Sequence, residues 1–179
     1  MTYSWIVYAC LGIGLSSAFV AGVFLAFSDF IMRALISANP IGAIECMQEI
    51  NVKVLRSVFL TTFFALVPAM IGVSVISVLK MEGGVKSLVL AGTFIYLGTV
   101  ILVTIIGNVP MNEKLAHMPP SSPDTISYWR RYGLGWTKLN HVRTIGSFVT
   151  AVCFILAALW LSNPHSEITR AANEGATIS

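Results

Sequence analysis

A chain of 179 residues with 56% apolar and 11% charged side chains has the wrong surface for water, since a soluble domain carries roughly 25% charged residues. Its formal charge is only +3, with no Lys/Arg block or basic helix, which excludes a nucleic-acid binder. The length suits one domain, and the composition makes that domain an integral membrane protein.

The start, Met1-Thr2-Tyr3-Ser4-Trp5, lacks the basic region of a cleaved signal, so the first apolar segment is expected to stay as an anchor. Four stretches, 5–27, 58–79, 88–106 and 145–162, are nearly free of charge. Each is about the 20 residues that a helix needs to cross a bilayer. A lone segment in lipid must satisfy its own backbone, which makes each a helix. The predicted fold is all-α: a polytopic four-helix bundle over 1–162, with two long polar loops containing short helices on one side. A polar, flexible tail is expected over 163–179.

Within the first span, Gly14, Ala18 and Gly22 recur every four residues, a spacing that lets a neighbouring helix approach closely. Residues 41–56 read as a polar helix running directly into the second span. Its Glu49 and Lys53 form an i, i+4 pair on a solvated face, while Gln48 and Asn51 lie on another side. Uncharged amides at the membrane end of a helix seek partners on other helices, and Asn108, Asn112 and Asn140 are the candidates. In the second span, Pro68 cannot donate to the Phe64 carbonyl and predicts a kink. Lys80 to Lys86 is a tight turn.

The third span is predicted to end at Gly107-Asn108-Val109-Pro110. Gly or Asn suits a left-handed cap, and Val109 before proline is pushed away from helical geometry. Pro110 can then open a short helix through Met111 to Leu115, followed by a loop over 117–121. Ser122, Pro123 and Asp124 are an N-cap, first position and first-turn acid. In the helix they open, Trp129, Tyr132, Trp136, Asn140 and Arg143 advance by three, four, four and three residues. They form one stripe if the helix continues through Gly133 and Gly135. Aromatics at a membrane boundary anchor the interface, but an amide and a guanidinium beside lipid need partners.

Lys and Arg favour one side. The two long loops hold eight (Arg33, Lys53, Arg56, Lys114, Arg130, Arg131, Lys138 and Arg143), and the turn and tail hold three (Lys80, Lys86 and Arg170). The positive-inside rule therefore expects a plasma (inner) membrane protein with cytoplasmic long loops and both termini outside. Cys10, Cys46 and Cys153 form no CxxC pair, and His117, His141 and His165 show no ligand spacing. No metal site is expected, and no phosphate-binding, dinucleotide or nucleophile-elbow motif is present.

Three runs carry a resemblance: Met47-Gln48-Glu49-Ile50-Asn51, Asn108-Val109-Pro110-Met111-Asn112-Glu113-Lys114-Leu115, and Trp136-Thr137-Lys138-Leu139-Asn140-His141-Val142-Arg143. Over roughly Trp5 to Leu161 the chain resembles the anthrone oxygenase-like family of small four-helix membrane proteins, largely of unknown function. The resemblance implies oxidation of an anthrone, phenol or quinol by molecular oxygen as co-substrate, with no other cofactor. It places Gln48, Asn51, Asn108, Pro110, Asn112, Trp136, Asn140 and Arg143 in a shared polar site that binds substrate. An anthrone is weakly acidic at one carbon, so the chemistry needs an apolar slot, donors for an oxyanion and a base. Glu113 and His141 are the candidate bases, ahead of Asp29 and Glu45. The expected partners are membrane lipid, a small apolar aromatic ligand and, as an option, a second copy of the chain. The rival reading is a membrane scaffold whose polar cluster locks two hairpins together.

Overall fold

Backbone groups held in lipid bond along their own segment, and the four apolar stretches do become four helices. The computed structural model describes residues 4–162, so the expected tail lies outside the described residues. Helix α1 runs Ser4–Ser37, α2 Pro40–Lys53, α3 Val58–Lys80, α4 Gly83–Ala116 and α5 Pro123–Leu161. No strand occurs among the described residues. The chain is an all-α membrane bundle, as its composition and hydropathy predict.

Length sorts the helices into two kinds. Helix α3 has 23 residues, about 35 Å of rise against a hydrocarbon core of about 30 Å. Helices α1 and α4 have 34 residues each and α5 has 39, or about 51 and about 58 Å. The three long helices therefore cross the bilayer and continue past it, and α2 packs against their extensions. Two cores follow. The membrane core gathers Ile6, Val20, Phe24, Phe63, Met70, Tyr96 and Phe154 among others. The cap core gathers Met32, Ile44, Met47, Leu115, Trp129, Tyr132 and Trp136.

Lipid tails are as apolar as leucine, so close contact and hydrogen bonds must hold the membrane core together. At Gly146 an added Cβ would overlap the Thr99 hydroxyl, so the glycine lets α5 lie directly on α4. Gly14 does the same between α1 and α5, where a Cβ would sit 2.7 Å from Ile155. The rest of the small-residue stripe does not take part: Ala18 is exposed, and Gly22 faces open space. Buried hydroxyls add crossings from Ser74 to Thr93 at 2.8 Å, Tyr96 to the Phe63 carbonyl at 3.0 Å and Thr150 to the Gly92 carbonyl at 3.1 Å. Such bonds are worth on average about 0.6 kcal/mol each in membrane proteins.

Two boundaries differ from expectation. The polar helix does not run directly into the second span. A 3-10 turn, Val54–Arg56, leads to Ser57 in extended geometry (φ −98°, ψ 152°). Ser57 then caps α3, its Oγ accepting from Leu60 N at 3.1 Å. The third span, moreover, does not end at Gly107-Asn108-Val109-Pro110. Asn108 and Val109 are right-handed helical (φ −69° and −62°), and α4 continues to Ala116. The reason is a change of helix type. Turns Tyr96–Leu102 and Thr104–Asn108 are π-helical, and their wider ring gives the proline room. Pro110 falls in the first turn of the α-helical stretch that follows, where its missing N–H costs little.

The wide turns also keep a face in line. Residues four apart overshoot a full α-helical turn by about 40°, so a four-residue repeat drifts away from its neighbour. Tyr96, Val100 and Asn108 remain buried across the π-helical turns. A matching π turn, Phe27–Ile31, lies in α1. The turn in α1 and the second one in α4, Thr104–Asn108, fall where the membrane core gives way to the cap. On the far side of the bundle, Gly83 takes φ +64° and allows the tight turn into α4. Ser122 caps α5 by position, without a side-chain bond, and α5 passes unbroken through Gly133 and Gly135.

Candidate functional site at the junction of the two cores

The stripe read from the sequence is real: Trp129, Tyr132, Trp136, Asn140 and Arg143 are all buried along one face of α5. Their spacing keeps them on the side facing α1 and α4. The three aromatic rings form a stack, with Trp129 and Tyr132 centroids 5.4 Å apart and Tyr132 and Trp136 6.4 Å apart. The stack is held from α4. Asn112 Oδ1 accepts from Tyr132 Oη at 2.8 Å and from Trp136 Nε1 at 2.9 Å. One amide oxygen thus satisfies the polar handles of two of the three rings. Asn108, one turn earlier, donates to the Trp136 carbonyl at 3.3 Å.

Below the stack, Asn140 and Arg143 reach toward the membrane core. Asn140 Nδ2 donates to the Phe24 carbonyl and to Ser28 Oγ, both at 2.6 Å. Ser28 belongs to the π turn of α1, so the widened turn supplies the acceptor. With its donors committed to α1, Asn140 directs Oδ1 at Arg143, whose Nη2 donates to it at 2.5 Å. Arg143 Nη1 lies 3.4 Å from Thr104 Oγ1. The guanidinium also sits over two ring faces, 4.3 Å from the Phe24 centroid and 5.3 Å from that of Trp136. Phe24, Ser28 and Thr104 were not among the residues singled out in the sequence. Thr104 carries a signal in hindsight, because it belongs to the four-residue series from Tyr96 to Asn108.

Among the described residues several buried atoms have no hydrogen-bond partner, including Arg143 Nε, Asn108 Oδ1, Asn51 Nδ2 and Trp129 Nε1. Leaving such a group unmatched costs about 1–3 kcal/mol, more when charged. These four belong to residues of the cluster or of the helix packed against it; the other such atoms among the described residues are the hydroxyls of Ser17, Ser77, Thr125, Thr137 and Ser147.

The second entrance helix delivers its amides differently from expectation. Gln48 does not pair with Asn108, Asn112 or Asn140. Its Nε2 donates to the Leu115 and Met118 carbonyls at 2.8 and 3.0 Å, closing the C-terminal end of α4, where carbonyls lack helical donors. Asn51 comes closer to the cluster, beside the Tyr132 hydroxyl. Glu113 and His141 are exposed, and neither contributes to the hydrogen bonds of the cluster. Glu49 and Lys53 form the expected surface pair at 3.6 Å. A groove of about 630 Å³ lies in the other half of the bundle, between α1 and α3, walled by Trp5, Gly12, Ser16, Ala65, Pro68 and Gly72.

Fold and site together define a class: a polytopic helical membrane protein with one arginine buried among rings and amides near one face of the bundle. Among the described residues it is the only buried charged side chain. A family model described as anthrone oxygenase matches residues 52–153, more than half of the chain, and the protein belongs to that family. The match takes in Asn108, Asn112, Trp136, Asn140 and Arg143 and stops just short of Gln48 and Asn51. No curated protein and no solved structure matches the chain.

Proposed function

We propose that the protein is a membrane oxygenase that oxidises a lipid-soluble aromatic, an anthrone or a related phenol or quinol, with dioxygen as co-substrate and no other cofactor. Family membership supports the reaction class. The observation that carries it to this site is the buried Arg143, set against two aromatic faces with its Nε unmatched.

The chemistry balances without a further redox group. Loss of a proton from the acidic carbon of an anthrone gives a carbanion. Transfer of one electron to dioxygen and recombination give a peroxide, which takes up a proton. Loss of water then leaves the quinone, so one oxygen atom enters the product and the other leaves as water. Arg143 would stabilise the oxyanion. Seven basic residues of the two long linking segments remain once buried Arg143 is set aside, against three on the opposite side. That count favours cytoplasmic long segments in a plasma membrane, with the ligand arriving through lipid.

The test is oxygen uptake by purified protein in detergent with anthrone as substrate. The expected result is one dioxygen consumed per anthraquinone formed, above spontaneous oxidation, with a single labelled oxygen from labelled dioxygen. A rate equal to the protein-free rate, together with no saturable binding of aromatic ketones or quinols, would refute the proposal.

A scaffold without catalysis has its own supporting observation: Gln48, Asn112 and Asn140 commit their amides to bonds between helices. Asn112→Ala and Arg143→Ala separate the readings. Loss of folding in both favours the scaffold, and folded protein with lost ligand binding favours a site.

A further inference from the structure

Arg143 has no anionic partner among the described residues. Among the described residues every carboxylate is exposed, and the ion pairs are Asp29 with Arg33 and Glu49 with Lys53, both on the surface. The groups in contact with the guanidinium are neutral: Phe24 from α1, Thr104 from α4, and Trp136 and Asn140 from its own helix. Tyr132 is the one titratable side chain that acts on it electrostatically. A cation taken out of water without a counter-charge is strongly disfavoured. Ring faces and an amide oxygen offset part of that cost, because a quadrupole and a dipole are weaker partners than an anion.

The arginine is nevertheless built in deliberately. Asn140 spends both donor bonds on α1 and so cannot turn its oxygen away from Nη2. This holds the guanidinium between α1 and α4 with Nε uncommitted. Such an arrangement is complete only when something negative joins it. Among the described residues no carboxylate or histidine is buried to remove a proton, and Glu113 and His141 are exposed.

We propose that Arg143, fixed by Asn140 and lacking a carboxylate partner, binds the aromatic substrate as its conjugate base and is the counter-ion that replaces a protein base. The inference rests on the oxygenase reading for the identity of the substrate, not for the anion binding itself. A carbon or oxygen acid HA ionises at the membrane–water boundary and its proton stays in the water. The anion A⁻ enters beside Arg143, with the negative oxygen toward the guanidinium. Selection of A⁻ lowers the apparent pKa of the bound molecule. It raises the concentration of the one species that can reduce dioxygen. Arg143 is then a catalytic residue, because it touches the charge that reacts.

The probe is 2-hydroxyanthraquinone, a flat phenol already at the quinone oxidation level, whose phenolate absorbs at longer wavelength. Its ionisation is followed by absorbance against pH, with detergent-solubilised protein and with detergent alone. With wild-type protein the midpoint should fall by at least about one pH unit, a tenfold preference for the phenolate. Arg143→Gln should abolish the shift, and Arg143→Lys should keep part of it. An unshifted or raised midpoint, an equal shift in Arg143→Gln, or no saturable binding would overturn the inference. If Arg143→Gln fails to fold, the wild-type midpoint and the lysine variant still decide. The two proposals fail separately. Anthrone oxidised without a shifted midpoint removes the inference and leaves the oxygenase standing. A shifted midpoint without oxygen uptake leaves the anion site and removes the oxygenase.

Discussion

Replacing Asn140 with leucine keeps nearly the same side-chain volume and deletes every polar contact it makes. Two neutral bonds go, to the Phe24 carbonyl and to Ser28 Oγ, at about 0.5–1.5 kcal/mol each. The bond from Arg143 Nη2 goes with them, and a bond to a charged group is worth about 1.5–3 kcal/mol. The sum is a loss of about 2.5–6 kcal/mol, enough to remove much of a typical fold's margin. Unfolding in detergent, followed by circular dichroism against denaturant, measures it. The shared part is isolated by combining Asn140→Leu with Arg143→Leu, because a direct contact makes the pair less damaging than the sum of the singles. A coupling of about 1.5 kcal/mol or more is expected. An Asn140→Leu cost under about 1 kcal/mol, with additive singles, would refute the claim that Asn140 holds the arginine in place.

Gly146→Ala should destabilise by about 1–3 kcal/mol through overpacking against Thr99, and adding Thr99→Ala should recover most of the loss in the same unfolding assay. Asn112→Ala orphans Tyr132 Oη and Trp136 Nε1 together; a cost of about 2–4 kcal/mol is expected, with altered tryptophan emission. Gln48→Ala uncaps the Leu115 and Met118 carbonyls, costing about 1–2 kcal/mol, and hydrogen exchange should quicken around residues 109–118 more than in α3.

The bundle was legible because lipid leaves so few options: four uncharged stretches of sufficient length can only be helices. The stripe on α5 was legible for a similar reason, since Trp129, Tyr132, Trp136, Asn140 and Arg143 follow the helical period across two glycines that did not break it. What escaped was partner choice. Gln48 looked like a mate for the asparagines, but sequence spacing says nothing about which carbonyls an adjacent helix end leaves open. The continuation of α4 past Pro110 escaped because the rules for proline and Gly-Asn caps assume α geometry, and π turns relax them. Ser28 and Thr104 were hidden by their ordinariness: hydroxyls in membrane helices usually bond their own backbone, as Thr104 also does to Val100.

The mismatch in helix lengths has a consequence for where this protein can work. Helix α3 alone is cut to the thickness of a bilayer, with Ser57 closing one end and the Met81-Glu82 turn the other. It therefore acts as a depth gauge for the other three, which have length to spare. In a thicker or thinner membrane the bundle must tilt or slide to keep α3 covered. The level of the aromatic stack relative to the headgroups would then move with it. Lipid composition becomes a control on how readily water and apolar molecules meet at Arg143, and reconstitution in bilayers of graded chain length is a natural dial for turning it.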